Sequence, residues 1–460
     1  MNRQLLYRNI SFQTAYQILS NLLGFLFTVI LIKSTTQFEF GAYSYIFSTL
    51  VIVNLFLELG IPTYFLRHWS THPEGFEKES KLVLGTRILL ALPVSILLFL
   101  YVFGIDRFVS LEFLLAYVYF LLDGYVQINK MYLSSQDNFH WTASIDAVEK
   151  ILAYGGAMIA LTLGGKLGSV FAIFIVSRIV AVFLSSYFTK TVVFPSFDVG
   201  KSLKLLGQSI PLFLLSVFGI LYFRIDMLMI RYVLGIEAVA PYSTAYRLMD
   251  AAVLFPGIFL AVAVPTLTRF HAAQSTELLQ KTIALAVKYL GIIALLFAAG
   301  CIVYGEDVLR VLFSSTYSQA YSILVIFGIT TIFLYLNAPL SYFLYTNHKE
   351  NVHTKILMLL TIVNIVANLL FLPVFGTVGA AFSTLVCEIL AFFLMRPHVS
   401  VRVPLEYLWM PLACIILSSL LTLLVHPVWY VGCVFLSAVY VLLLFITRTL
   451  QIKNIRALDV

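Results

Sequence analysis

Several charged side chains lie inside the longest apolar stretches of this chain. Three arginines lie deepest among them, Arg178, Arg224 and Arg247. Arginine stays charged at any physiological pH, and its planar guanidinium donates paired hydrogen bonds to phosphate and carboxylate oxygens. Together with Arg87, which lies nearer a helix end, the three arginines predict a cationic cavity that binds a diphosphate group.

Salt bridges that only support the fold are the alternative for the same arginines. Arg247 precedes Asp250 by three residues, a spacing that places both side chains on one face of a helix. Arg224 could meet an acid on a neighbouring helix. Asp146 and Lys150, four residues apart, predict an ion pair that satisfies both charges.

Other charges in these stretches fall into two groups. The deep acids are Glu58, Asp123, Asp226, Asp250 and Glu388. Desolvation disfavours the charged form of a carboxyl group, so these acids could take up protons or sodium ions and couple transport to a gradient, or they could serve as counter-ions for the arginines. Arg87, Lys150 and Lys288 lie within a turn or two of a predicted helix end, from which long side chains reach lipid headgroups.

The composition shows what kind of elements must position these charges. Hydrophobic residues make up 61% of the 460 residues and charged residues only 11%. A soluble protein of this size could not cover its surface with so few polar groups. At about 20 apolar residues per spanning helix, the chain is long enough for roughly fourteen spans.

Apolar segments bounded by charges, proline or glycine follow one another along the chain and predict an all-α integral membrane protein with about fourteen transmembrane helices. The segments cover residues 10–32, 41–66, 82–104, 111–134, 144–163, 168–190, 207–234, 242–268, 283–304, 320–346, 354–372, 377–395, 405–425 and 428–447. Pro256 and Gly257 in the eighth segment predict a hinge, because proline removes a helix hydrogen bond.

Lysine and arginine are distributed unevenly between alternate loops. With the N-terminus inside, eighteen of the 29 lie in cytoplasmic segments, five in external segments and six within the helices. Because cytoplasmic loops accumulate positive charge, this pattern predicts a multi-pass protein with both termini in the cytoplasm. The net charge of +7 then mainly reflects the membrane topology, and we expect no nucleic-acid partner.

The loops are too short for a catalytic domain. No predicted loop exceeds about 16 residues, and the chain has no phosphate-binding loop with a Gly-Lys-Ser/Thr pattern. It also lacks a metalloprotease motif, a nucleophile dyad and a tight carboxylate cluster. We therefore expect a transporter and not an enzyme, with no bound cofactor.

Several short motifs follow one another along nearly the whole chain. They are Phe40-Gly41-Ala42-Tyr43-Ser44; Glu58-Leu59-Gly60-Ile61 leading to Arg67; Arg224-Ile225-Asp226 followed by Gly235 and Tyr242; Tyr246-Arg247-Leu248; Asn364-Ile365 with Asn368-Leu369; and Pro373-Val374-Phe375-Gly376-Thr377-Val378-Gly379-Ala380-Ala381. In these motifs the chain resembles the polysaccharide-export branch, with its O-antigen flippases, of the multidrug, oligosaccharidyl-lipid and polysaccharide flippase superfamily.

The resemblance implies a fold of two six-helix lobes that form a V-shaped central cavity with alternating access. A weak repeat fits this fold, because Tyr43-Ser44 and Tyr242-Ser243 each open a helix about 199 residues apart. Six helices separate the two copies, so the repeat would be parallel, about an axis along the membrane normal. The predicted domains are residues 1–200, residues 201–400, and residues 401–460 with two further helices and a short tail.

The resemblance also implies a function. The chain is expected to move an undecaprenyl-diphosphate-linked oligosaccharide repeat unit of O-antigen, capsule or exopolysaccharide across the bacterial inner membrane. The alternatives are a cation-coupled multidrug extruder or a lipid II flippase of the same superfamily and, from other classes, an intramembrane enzyme or a structural subunit of a polysaccharide assembly complex. The expected partners are the lipid-linked glycan, membrane lipids, and the polysaccharide polymerase and chain-length machinery. A proton or sodium gradient and the membrane potential would supply energy.

Overall fold

The computed structural model describes residues 3–104, 110–272, 276–347, 349–425 and 428–450, with side chains except those of residues 3–15, 17, 215, 254 and 258–276. All regular secondary structure in these ranges is helical, which confirms the predicted fold class. The α-helices are α1 (Arg3–Ser34), α2 (Gln37–Glu58), α3 (Ile61–Thr71), α4 (Phe76–Gly104), α5 (Ser110–Ser135), α6 (Phe139–Lys150), α7 (Gly156–Thr162), α8 (Leu167–Thr189), α9 (Val199–Leu234), α10 (Val239–Ala272), α11 (Thr276–Leu312), α12 (Tyr321–Thr346), α13 (Glu350–Met395), α14 (Trp409–Val425) and α15 (Trp429–Ile446).

The helices form two compact units, Met1–Arg231 and Tyr232–Val460. In the first unit α5 is central and packs against α2, α3, α4, α6 and α8. In the second unit α12 packs against α10, α11 and α13, while α14 and α15 pack against each other and against α11. The predicted domain boundaries at residues 200 and 400 remain predictions.

Many of these helices can cross a membrane. Among the described residues nine are long and apolar enough, and a tenth is added if the two parts of α9, Val199–Leu214 and Ser216–Leu234, form one span. Each predicted apolar segment overlaps helical structure. The chain is therefore a multi-pass membrane protein, while the number fourteen and the orientation of the termini remain predictions.

One predicted span is wrong in its extent. The segment 41–66 is not a single helix, because α2 ends at Glu58 and α3 begins at Ile61. Leu59 and Gly60 both adopt left-handed backbone conformations, with φ of 39° and 78°. Glycine tolerates this conformation, and Pro62 then favours the start of a new helix.

A second break was expected and is present. Within α13 the backbone of Gly376 leaves the helical region, with φ 59° and ψ −146°, so the helix consists of two parts joined at a kink. The sequence separates the predicted segments 354–372 and 377–395 here, and the structure confirms a break between them. Gly379 follows closely, where a Cβ atom would lie 2.5 Å from the carbonyl oxygen of Phe371.

The two Tyr-Ser motifs have similar surroundings in their own units. Tyr43 is buried in α2 and packs against Phe27 and Phe171, with ring centroids 5.8 and 5.9 Å away. Tyr242 is buried in α10, and its ring centroid is 5.4 Å from that of Phe327. Each tyrosine thus belongs to the aromatic core of one unit.

The corner between α2 and α3 gives a test of packing. A Cβ atom on Gly60 would lie 2.4 Å from the carbonyl oxygen of Ser209 in α9, where neither backbone can move easily. Gly60→Ala should therefore lower the free energy of unfolding by about 2–4 kcal/mol, from the left-handed φ and the overpacking together. Thermal melting of the detergent-solubilised protein, followed by size-exclusion chromatography, measures this effect.

The matched control lies in α9 itself. A Cβ atom on Gly219 meets nothing within 4 Å, so Gly219→Ala should melt at or slightly above the wild-type temperature. If Gly60→Ala melts like wild type, the close approach of α9 to this corner is contradicted.

Candidate functional site: a buried ion network

An arginine and two acids meet in the interior of the first unit. Arg178 in α8 places Nη1 2.6 Å from Asp123 Oδ1 in α5 and 3.0 Å from Glu149 Oε2 in α6. The three side chains are only 7%, 10% and 1% exposed. Because a buried charge is costly unless it is paired, this contact ties the three helices together.

Tyr119 completes the shell around Arg178. It lies one turn before Asp123 on the same face of α5, and its ring packs under the guanidinium with Arg178 Cζ 4.2 Å from the ring centroid. Arg178 Nη2 donates a short hydrogen bond to the Tyr119 hydroxyl, which in turn donates to Glu149 Oε1 at 3.1 Å. Both oxygens of Glu149 are thereby engaged.

A second ion pair lies beside this network. Arg87 in α4 has Nη1 3.6 Å from Glu58 Oε1, and Asn54 Nδ2 donates to the same oxygen at 3.0 Å. The guanidinium packs against Gly124 in α5, where a Cβ atom would lie 2.4 Å from Arg87 Nε. Only a glycine next to Asp123 leaves room for Arg87 in this position.

The predicted pair Asp146–Lys150 is wrong. Asp146 instead pairs with Lys130 of α5, whose Nζ lies 2.6 Å from Asp146 Oδ1. Lys150 lies 3.8 Å from Glu149 Oε1, and its ammonium is above the ring of Tyr154, 5.3 Å from the centroid. Spacing along one helix could not reveal Lys130, because it comes from a neighbouring helix.

Four acids in the interior of the first unit have basic neighbours. Glu58, Asp123, Asp146 and Glu149 each have a basic nitrogen within 4 Å, supplied by Arg87, Arg178, Lys130 and Lys150. Glu58 and Asp123 are thus counter-ions in this state. Whether they also couple ions, and whether Arg87 and Arg178 bind diphosphate, stay predictions.

Glu388 is the deep acid of the second unit. It is buried in α13, where Oε2 accepts a hydrogen bond of 2.8 Å from Asn337 Nδ2 of α12. The same amide nitrogen donates to the Glu388 carbonyl oxygen at 2.9 Å. Glu388 therefore joins α12 to α13 through a neutral amide.

The remaining predicted residues lie in α9 and α10. Asp226 is buried in α9, with Arg224 half-buried two residues earlier. Arg247 and Asp250 are half-buried in α10. Within the described part of the chain the Arg247 guanidinium makes no hydrogen bond or ion pair, so the alternative pairing with Asp250 is not found there.

The predicted hinge and the absence of a cofactor stay predictions. Pro256 and Gly257 lie inside α10, which continues as far as Ala272. A Cβ atom on Gly257 would meet no described atom within 4 Å. The ranges that the structure describes contain no cluster of three or more His, Cys, Asp or Glu residues that could hold a metal ion.

Residues 6–271, more than half of the chain, match the family described as polysaccharide biosynthesis protein. The chain belongs to this family. The probable low-salt glycan biosynthesis flippase Agl15 of Haloferax volcanii is 20% identical over 206 residues, which are 45% of this chain and 44% of that protein. The match thus spans less than half the length of this curated relative.

Solved structures with a similar fold are transporters and flippases. The lipid II flippase MurJ, in an inward closed conformation, has a TM-score of 0.77 at 14% identity, over 95% of this chain and 98% of that one. A multidrug resistance MATE transporter, facing inward, has a TM-score of 0.65 at 15% identity, over 83% and 94%. The family member described here therefore has a fold similar to that of these two proteins.

The network around Arg178 predicts non-additive effects of mutation. Arg178→Gln removes one positive charge and Asp123→Asn one negative charge, so each leaves an unbalanced charge in the interior. Each should lower the free energy of unfolding by about 3–5 kcal/mol. The double variant restores neutrality. Its loss of unfolding free energy should be clearly smaller than the sum of the losses in the two single variants.

Thermal melting in detergent of the wild type, the two single variants and the double variant gives the coupling energy between Arg178 and Asp123. Lys201→Gln serves as control, because its ion pair with Asp198 is at the surface. Strictly additive losses would show that Arg178 and Asp123 do not depend on each other.

Proposed function

We propose that this member of the polysaccharide biosynthesis protein family is a flippase for a polyprenyl-diphosphate-linked oligosaccharide. Its family membership, the name of the archaeal relative and the similarity in fold to a lipid II flippase support a glycan carried on a lipid. In bacteria the cargo would be an undecaprenyl-diphosphate-linked repeat unit, moved across the inner membrane by alternating access.

The proposal rests on the surroundings of Arg247. Its guanidinium is half-buried in an apolar helix and has no acidic partner in the described residues, unlike Arg87 and Arg178. A cation in such a place is costly unless an anion meets it. A diphosphate matches the geometry of guanidinium and supplies the missing charge.

The multidrug extruder is less well supported. A cavity for cationic drugs needs acids that are free to bind them, and the four acids of the first unit that are named above already have basic partners. Lipid II is the second candidate cargo, and the fold similarity to its flippase favours it.

The membrane potential would help to drive export of this cargo. Moving negative charge out of a negative interior gains about 2.3 kcal/mol per elementary charge per 100 mV. Proton or sodium coupling through Glu58, Asp123, Asp226, Asp250 or Glu388 would then serve to return the empty carrier. The proposal also includes the predicted cytoplasmic termini and cooperation with a polymerase and chain-length machinery.

Replacement of Arg247 tests the proposed function in the native host. Arg247→Gln should reduce surface polysaccharide by at least about tenfold, because a charged hydrogen bond contributes about 1.5–3 kcal/mol. Arg247→Lys keeps the charge and should retain part of the activity. Surface polymer is measured by immunoblot or lectin binding after replacement of the chromosomal allele.

The matched control is Arg310→Gln, which removes an exposed arginine paired with Glu306 on the same helix and should leave surface polymer unchanged. Membrane fractions must contain equal amounts of each variant. Normal surface polymer in the Arg247→Gln strain would refute the role of this residue.

A further inference from the structure

Lys150 lies in the middle of a continuous helical segment. Helix α6, a π-helical turn at Ile151–Gly155 and helix α7 follow one another without a gap from Phe139 to Thr162. Lys150 is eleven residues from Phe139, the first residue of α6, which corresponds to about 16 Å along a helix axis. The predicted apolar segment begins at residue 144, six residues before Lys150.

The ammonium of Lys150 has hydrogen-bonding capacity to spare. Its nearest acid is Glu149 at 3.8 Å, beyond hydrogen-bonding distance, and that carboxylate already interacts with Arg178 and Tyr119. The side chain of Lys150 is 24% exposed, whereas those of Glu149 and Arg178 are 1% and 7% exposed. An ammonium group has three donors, so Lys150 can accept an anionic ligand without breaking the network.

The π-helical turn gives Lys150 an aromatic support. Tyr154 lies within this turn, and the ammonium is 5.3 Å from its ring centroid. The Tyr154 ring also stacks against Phe27 of α1, with ring centroids 5.2 Å apart and an interplanar angle of 18°. Gly24 of α1 packs against the same ring, where a Cβ atom would be in van der Waals contact at 3.4 Å. π-Helical turns often mark functional sites, because they place a side chain where a regular helix would not.

We propose that Lys150, held over Tyr154 by the π-helical turn, is a docking point for a phosphate group of the cargo in the first unit. This inference rests on the proposed function and adds a binding residue to it. Arg178 is the framework cation, engaged by two carboxylates. Lys150 is the ligand-facing cation, partly exposed and without a hydrogen-bonded acid among the described residues.

Binding of undecaprenyl diphosphate to the purified full-length protein tests the proposal. The protein is placed in nanodiscs of phosphatidylcholine, and affinity is measured by native mass spectrometry. Lys150→Gln should weaken binding about 10- to 100-fold, the value of a charge-assisted hydrogen bond. Lys150→Arg should bind nearly as well as wild type. The control Lys201→Gln, at an exposed ion pair, should bind as wild type does.

The outcomes separate this inference from the proposed function. If wild-type protein does not bind the probe, the proposed function fails together with the inference. If wild type binds, Arg247→Gln does not, and Lys150→Gln binds normally, the function stands and the role of Lys150 is refuted. If phosphatidylglycerol competes at equal concentration, the site takes a lipid headgroup and the inference is overturned.

A second measurement needs no variant and so does not depend on folding of the mutants. Wild-type protein is acetylated with an amine-reactive reagent with and without undecaprenyl diphosphate, and labelling is quantified by peptide mass spectrometry. The probe should protect Lys150 and leave Lys201 equally reactive. Equal labelling of Lys150 in both samples would contradict the proposal.

Discussion

The ion pair between Arg178 and Asp123, shared with Glu149, is the interaction on which the first unit depends. Each charge comes from a different helix, and none of the three could remain in an apolar interior alone. Their contact fixes how α5, α6 and α8 face one another. The ring of Tyr119 in α5 adds a further contact with Arg178. The second pair, Glu58–Arg87, joins α4 to the end of α2 in the same way.

The buried cations differ in whether a carboxylate lies close to them. Arg178 is hydrogen-bonded to Asp123, and Arg87 is ion-paired with Glu58 at 3.6 Å, so both have an acidic partner in this state. Arg247 has no acidic partner among the described residues, and the nearest acid to Lys150 is Glu149 at 3.8 Å. Under the proposed function the ion pairs of the first unit would hold its helices in place, while cations without a close carboxylate would attract the diphosphate.

Much of the fold could be predicted from the sequence because it depends on local patterns. Apolar runs of sufficient length indicated the helices, and the glycine at 376 indicated the break in α13, since its φ of 59° suits glycine. The break at Gly60 had a comparable signal in the following Pro62, but the continuous apolar run outweighed it. The π-helical turn at Ile151–Gly155 has no signal of this kind in the sequence.

The candidate site was predictable only in part. The sequence identified Arg178, Asp123, Arg87 and Glu58 as charges in apolar surroundings, since that needs no partner. It did not single out Glu149 or Tyr119, and it assigned Asp146 to Lys150 when the partner is Lys130. Pairing between helices depends on their rotation and depth, which one sequence does not contain.

The most direct measurement is translocation by purified protein in proteoliposomes. The cargo is the lipid-linked oligosaccharide of the native host, and a membrane-impermeant glycosidase detects the glycan that reaches the outer face. Our account predicts that the protein accelerates translocation of the diphosphate-linked glycan and does not move the same glycan on an uncharged polyprenol. No acceleration over protein-free liposomes, or equal rates for the two lipids, would contradict it.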